Sequence, residues 1–451
     1  MDQNGPGATI YALASGTGLA GIAVVRVSGP NAGRALARLA GAPLPRARSA
    51  SLRAIRDPAS GAILDRGLVL WFPGPESYTG EDLAEIHIHG GRACVAAILR
   101  ALSLLGSSLG LRMAEAGEFT RRAYLAGKLD LTAAEGLADL VAAETETQRR
   151  QALRQMEGAL GRLYQGWREA IIRASALMES EIDFSDQDLP AGLGGQARKE
   201  IVELLAAVRR HLDDSNRGER VREGIRIAIV GPPNVGKSTL LNALARRDAA
   251  IVSEIPGTTR DVIEVPLDIG GFKVVLADTA GVRLTEDPIE REGVRRALAQ
   301  ARDSELAILV LDPETAGHAD ERAGNPLASI TQHIVIINKS DLPGARNPAI
   351  SGLKVSAKTG HGISELLQTI RSRIESSFGG AEELGPALTR ARHRELLETC
   401  AGHLARALEA KGQELVAEDL RLAARALGAI TGNVDVEKIL DAIFRDFCIG
   451  K

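Results

Sequence analysis

The 451 residues exceed what one ordinary hydrophobic core organises, so two or three domains are expected. Lys and Arg total 55 against 58 Asp and Glu, a formal net charge of −3, which excludes the bulk basic field of a non-specific nucleic-acid binder. The cysteines (Cys94, Cys400, Cys448) lie far apart with no C-x-x-C spacing, which excludes a zinc ribbon or disulfide scaffold and fits a reducing cytoplasm. No apolar run approaches the roughly 18 residues that cross a bilayer, and the first twenty residues lack a basic n-region, so neither membrane insertion nor export is expected.

Residues 1–126 carry short alternating stretches, "GIAVVRVSG" and "LAEIHIHGG" among them, broken by Gly and Pro turns; this predicts a compact α+β domain. Within the second stretch Glu85, His87 and His89 fall on one strand face by period two, a pattern with too few ligands for zinc and followed by a Gly90-Gly91 bend. Residues 127–218 turn rich in Ala, Leu, Glu and Arg, and keep an apolar stripe at helical spacing: long helices, the first half of a helical domain. Residues 219–376 switch to strand-then-helix units, an α/β texture, and residues 377–451 return to helix. The economical architecture is an α/β domain inserted into a discontinuous helical domain.

The inserted segment opens with "IRIAIVGPPNVGKSTLLNAL", in which G-x-x-x-x-G-K-S follows a buried-strand run and begins a helix. Asn234, Val235, Gly236, Lys237, Ser238 and Thr239 form this loop and helix start, where backbone N–H groups face phosphates, Lys237 adds a point charge and Ser238 can ligate Mg²⁺. "GTTRD" (Gly257, Thr258, Thr259 and the two residues after) offers Thr259 as a second Mg²⁺ ligand, and "ADTAG" supplies Asp278, Thr279, Ala280 and Gly281, with Asp278 placed for the metal shell. "NKSD" (Asn338, Lys339, Ser340, Asp341) predicts guanine: the Asp341 carboxylate accepts from N1–H and the exocyclic amine, a donor pair that adenine lacks. "SAK" (Ser356, Ala357, Lys358) then turns backbone N–H groups toward the guanine carbonyl. Val282 stands where Ras-type GTPases carry the water-orienting glutamine, and no arginine finger is evident. The side-chain carbonyl of Asn234, beside the phosphates, is a suitable ligand for a monovalent cation in the finger's place, and a plain turn residue is the alternative.

Taken together, "VVRVSGP", "WFPGPESYTGEDLAEIHIHGG", "AGEFTRRAYLAGKLDLTAAEGLADLVAAET", "GPPNVGKS", "AAIVSEIPGTTRD", "ADTAG", "NKSD" and the terminal "FCIGK" resemble the MnmE (TrmE) family of tRNA-modifying GTPases over essentially the full length. The resemblance implies an N-terminal folate-binding and dimerisation domain, a discontinuous helical domain and an inserted Ras-like G domain. It implies that Ser253, Glu254, Ile255 and Pro256 join the GTP site. Potassium would be held by Asn234, the carbonyls of Ser253 and Ile255, and Thr258, and magnesium by Ser238 and Thr259. Glu290, nine residues past Gly281, would orient the attacking water when two G domains pair; without the resemblance it reads as an exposed helix-start acid after Asp287 and Pro288. Arg26, Glu85, Lys128 and the terminal Lys451 would bind 5-formyltetrahydrofolate or a related tetrahydrofolate, with Cys448 a functional thiol beside it.

The implied activity is potassium-stimulated GTP hydrolysis that, with the flavoprotein MnmG in a heterotetramer, installs a carboxymethylaminomethyl-type group on carbon-5 of the wobble uridine of certain tRNAs. The chain itself carries no flavin fingerprint, and tRNA would be reached through the complex. The competing reading is a regulatory GTPase of ribosome assembly, which predicts a dedicated basic RNA-binding domain.

Overall fold

The computed structural model describes residues 7–183, 193–214, 216–232, 234–246, 263–278, 304–314, 333–342, 351–379, 385–434, 437–445 and 447–451. They divide into two compact units. The first comprises residues 1–138, 155–204 and 399–451, the second residues 139–154 and 205–398.

In the first unit β1 (Thr9–Leu13), β2 (Ala20–Ser28), β3 (Ser51–Arg56), β4 (Ile63–Phe72), β5 (Leu83–Gly90) and β6 (Leu111–Met113) form one sheet in the order β3-β4-β5-β2-β1-β6. Its pairs are antiparallel except β1 with β6. Alternation sets the faces: Val25, Val27, Val69, Ile86 and Ile88 point into a core with the helices Ala32–Ala40 and Arg92–Leu104. Helix Ala32–Ala40 buries Ala32, Ala35, Leu36, Leu39 and Ala40, the i, i+3, i+4, i+7 stripe of an amphipathic helix. Each fully buried aliphatic residue of this core contributes about 1.5–3 kcal/mol. The opposite face holds Arg26, Glu85 and His87; register sets Arg26 directly across from Glu85.

The helices of this unit include Ala159–Asp183, which packs along Gln413–Thr431, and Glu437–Arg445 near the chain end. Leu440, Phe444 and Phe447 bury against Leu131 and Ala134, and the last residues return to the sheet domain through an antiparallel bridge from Ile449 to Ala116. Gly450 has φ +102, and a Cβ there would collide with the Leu13 carbonyl, so only glycine lets the terminus pass so close.

In the second unit β7 (Ile225–Val230), β8 (Ile263–Ile269), β9 (Phe272–Asp278), β10 (Leu306–Leu311), β11 (His333–Ile337) and β12 (Leu353–Lys354) are ordered β12-β11-β10-β7-β9-β8. All pairs are parallel except β8 with β9. The runs "IRIAIV" and "LAILVL" are near-continuously apolar because central parallel strands are covered on both faces. Helix Ile363–Phe378 covers one face with Ile363, Leu366, Ile370, Ile374 and Phe378. The α+β, helical and Ras-like α/β parts expected from the sequence are all present. No described helix is long and apolar enough to cross a membrane.

Candidate nucleotide site and a second polar cluster

The parallel register aligns the carboxyl ends of four strands, since Ile229 of β7 lies opposite Asp278 of β9, Val230 opposite Leu309 of β10, and Leu311 opposite Ile337 of β11. Ligands bind open α/β sheets at this edge, where strand ends, loops and helix N-termini converge. Here the edge carries the loop 231–236, Asp312, Asn338–Asp341 and Ser356–Lys358.

Gly231 has φ +153, and a Cβ on it would strike the Val310 carbonyl; Gly236 has φ +93, and its Cβ would strike the Asn338 side chain. Both glycines therefore permit close backbone approach. Val235 plugs the loop into the core at 1% exposure, while Asn234 is exposed with φ +63. Lys237, in the first turn of helix Lys237–Ala245, donates from Nζ to the carbonyls of Gly231 (2.8 Å) and Pro232 (2.7 Å), folding back over the loop. Ser238 and Thr239 are exposed beside it.

Asn338 organises the base-binding end. It is 2% exposed, donates from Nδ2 to the Val235 carbonyl (2.8 Å) and accepts at Oδ1 from the Ala357 N–H (3.0 Å). One side chain thus ties the phosphate loop to the Ser356–Lys358 turn. Lys339, at φ +57, pairs with Asp312 at 2.9 Å. Ser340 N–H donates to the Val355 carbonyl (3.1 Å). Asp341 is exposed, and the Ser356 hydroxyl, its own backbone N–H and nearby Lys358 hold its carboxyl below the usual range. It is ionised at neutral pH, an acceptor on both oxygens. Replacing Asn338 with alanine orphans a buried carbonyl and a part-buried N–H; a loss of about 1–3 kcal/mol is expected in denaturant unfolding of this unit.

Ser253, Glu254, Ile255, Pro256, Gly257, Thr258, Thr259, Thr279, Ala280, Gly281 and Glu290 lie outside the described residues. Of Asp278 the described part is its backbone, at the end of β9.

A second cluster sits on the open face of the N-terminal sheet. Arg26 donates from Nε (3.1 Å) and Nη2 (2.8 Å) to Glu85 Oε1 and from Nη1 to the Gly450 carbonyl (3.4 Å). Its guanidinium also lies 5.5 Å from the Tyr78 ring centroid and 5.7 Å from that of Phe119. His87 Nε2 is 3.3 Å from Glu85 Oε2. Lys451 adjoins this cluster: burial, then the charge of Arg26, pulls its ammonium pKa down, with Cys448 opposing. Cys448 is exposed, and its carbonyl accepts from the N–H of Gly117 (3.5 Å) and of Lys451 (3.2 Å). Arg26, Glu85 and Lys451 therefore converge. Lys128 runs beside Gly80 instead, and among the described residues no hydrogen bond or ion pair joins it to them. His89 turns away to Asp65 at 2.8 Å and is 71% exposed, so it does not share a ligand set with Glu85 and His87.

Sequence reading did not anticipate the network next to this cluster. Glu118, 9% exposed, binds Arg112 (2.6 Å) and Arg122 (2.9 Å); Arg122 holds Glu81 (2.9 Å), which accepts from Ser28 (2.9 Å). Only the i,i+4 spacing of Glu118 and Arg122 hinted at it.

A family model described as the MnmE helical domain matches residues 131–448, and one described as the GTP-binding protein TrmE N-terminus matches residues 9–128. The tRNA modification GTPase MnmE of Parvibaculum lavamentivorans is 55% identical over 448 residues, covering 98% of this chain and 100% of that protein. The chain belongs to the MnmE family of tRNA modification GTPases. The family member of Rhodospirillum rubrum is 53% identical over 98% of this chain and 99% of its own. A mitochondrial 5-taurinomethyluridine tRNA synthase subunit of Homo sapiens is 48% identical over 99% of this chain and 94% of its own. Among solved structures, the G domain of the T. maritima FeoB iron transporter is 26% identical over 33% of this chain and 97% of that one, with a TM-score of 0.26.

Proposed function

We propose that this chain is a potassium-stimulated GTP hydrolase that works with the flavoprotein MnmG, in a heterotetramer, to add a carboxymethylaminomethyl-type group to carbon-5 of the wobble uridine in certain tRNAs. The observation that carries the nucleotide half is the Asn338 bridge: it joins a phosphate-binding loop to a base-binding turn beside an ionised Asp341. In this reading Lys237 moves from its loop carbonyls to the β- and γ-phosphates, and Gly236 and neighbouring N–H groups cradle the rest. Asp341 takes guanine's two donors and Ser356 and Ala357 its carbonyl, so ATP is rejected. Hydrolysis adds water to the γ-phosphorus and expels GDP; Glu290 orients that water.

Ser238 and Thr259 would hold magnesium, and the exposed hydroxyl of Ser238 on the first helical turn is a hard oxygen donor suited to it. Asn234 would give its amide oxygen to potassium, together with Ser253, Ile255 and Thr258, and its exposure on the loop is compatible with that. Each ion would offset charge on the transferring phosphoryl group.

The Arg26–Glu85–Lys451 cluster is read as the tetrahydrofolate site, with Lys128 reaching in and Cys448 facing the modification chemistry. It suits a pterin with an anionic tail, because a carboxylate can pair with pterin N–H groups and cations answer the tail. The exposed apolar side chains Ile22 (64%), Leu52 (73%) and Leu68 (42%) of the same sheet domain support its use as a homodimer face. A cytoplasmic location and the four-segment division at 126, 218 and 376 complete the reading.

The test is nucleoside mass spectrometry of tRNA from a strain lacking this chain. Loss of the carbon-5 modification, and its return with the wild-type chain, are expected. Unchanged nucleosides would overturn the proposal. In the same strain Arg26→Ala should leave potassium-stimulated hydrolysis intact while failing to restore the modification, because it strips Glu85 of its cation without touching the nucleotide site.

A further inference from the structure

The hairpin of β8 and β9 runs from the end of "GTTRD" to the start of "ADTAG", so both strands lead directly into nucleotide-site motifs. Its far end is gripped by the segment 144–151. At the turn Gly271 takes φ +87, with its N–H on Asp268 Oδ1 (2.7 Å). Its carbonyl accepts from the Thr147 N–H (3.0 Å), and an added Cβ would stand 3.4 Å from the Thr147 hydroxyl. Two residues on, Lys273 pairs with Glu144 at 2.6 Å, with side-chain exposures of 22% and 31%. The gripping segment is itself firmly built: Thr145 and Thr147 are 5% and 0% exposed. The N–H groups of Glu144 and Thr145 both donate to Gln148 Oε1.

The same segment also holds the approach to the phosphate loop. Gln148 donates to the Arg222 carbonyl (2.9 Å) and Gln151 to the Gly218 carbonyl (2.8 Å), both in the helix Arg217–Glu223 that precedes β7. The segment therefore touches the hairpin end opposite the two motifs and the element that feeds the P-loop. A two-stranded ladder of seven residues spans about 23 Å, so a register or tilt change at the motif end is delivered to the turn.

We propose that residues 144–151 sense the nucleotide state through the β8–β9 turn, with Glu144 a positioning residue that locks the turn by its pair with Lys273. The proposal rests on the reading of the α/β unit as a GTP site. Free-energy coupling of this kind is reciprocal: nucleotide shifts the segment, and the segment's position shifts nucleotide affinity.

The test is hydrogen exchange of the amides 144–156 in the full-length chain, bound to GDP or to a non-hydrolysable GTP analogue. The wild type should differ between the two by at least about fivefold in exchange rate. Glu144→Lys and Lys273→Glu should each abolish that difference while hydrolysing GTP at the wild-type rate, and the double reversal should restore it. Lys273→Gln, which removes charge without reversing it, should also abolish the difference; this guards against misfolding of the reversals. A wild type that hydrolyses GTP with no nucleotide-dependent exchange, a difference that survives in the single variants, or a double variant that fails to recover would each overturn the coupling. A wild type that does not bind GTP would overturn the nucleotide reading instead, and the coupling with it.

Discussion

Replacing Asp341 with asparagine is expected to exchange xanthine for guanine as the preferred base. The ionised carboxylate offers two acceptors, matched to guanine's N1–H and 2-amino group; an amide offers one acceptor and one donor. Against guanine the amide N–H₂ faces the 2-amino group, two donors with nothing between them. Xanthine carries a carbonyl at that position and restores the match. Polar mismatches in a site built to hydrogen-bond its ligand discriminate by about 10⁴–10⁵, and the exposure of Asp341 places this variant toward the low end or below. Competition between GTP and XTP in a nucleotide-release assay checks it, and unchanged GTP preference would remove Asp341 from the base site. The same carboxylate sets a pH expectation. Its pKa is lowered by the Ser356 hydroxyl, so the acceptor form persists from neutral pH to below the ordinary aspartate value, and GTP affinity should be flat above it. Affinity falls only as pH drops through the lowered pKa. In Asp341→Asn that acid limb should vanish, since nothing at 341 remains to protonate.

The contrast between what was legible and what was not follows the range of the interactions. The phosphate loop could be read because its determinants are consecutive: an apolar strand, glycines at forced dihedrals, then Lys237 and a helix. Strand faces were legible for the same reason, since period two alone predicts that Glu85 and His87 share a side. The pairing of Arg26 with Glu85 needs the register of β2 against β5, and the Asn338 bridge to Val235 spans 103 residues of sequence. Glu144 with Lys273 has no local signature, and of the Arg112–Glu118–Arg122–Glu81 chain only the i,i+4 pair Glu118–Arg122 has one, because the other charged residues acquire partners only when separate elements dock. His89 makes the complementary point: it carries a suitable ring on the right strand, yet it turns to Asp65.

Removing the carboxylate of Glu290 is expected to slow hydrolysis strongly without weakening GTP binding, and replacing potassium with sodium should slow hydrolysis by a separate route. The Val282 side chain has no hydrogen-bonding group, so it cannot take the glutamine's part in holding the attacking water in line with the γ-phosphorus. A positioned acceptor in that role contributes about 10²–10⁴ in rate, and Glu290→Ala should lose that factor in kcat while the Kd for a GTP analogue stays unchanged. The residues proposed to bind nucleotide, Lys237, Asn338 and Asp341, are untouched by the substitution. The proposed cation would be a different contribution: it would offset charge developing on the phosphoryl oxygens, as one preorganised electrostatic group worth about 10²–10³. Sodium, smaller and held closer, would draw in the Asn234 carbonyl and lose the fit. Because the proposal gives Glu290 the nucleophile and the cation the charge, single-turnover rates of wild type and Glu290→Ala in potassium and in sodium form a double cycle. Independent roles give losses that multiply. If Glu290 acted only by presenting the cation, sodium would cost the Glu290→Ala protein nothing further. Full potassium-stimulated activity in Glu290→Ala would remove the assignment, and the water-orienting group would then have to be sought elsewhere in residues 279–303.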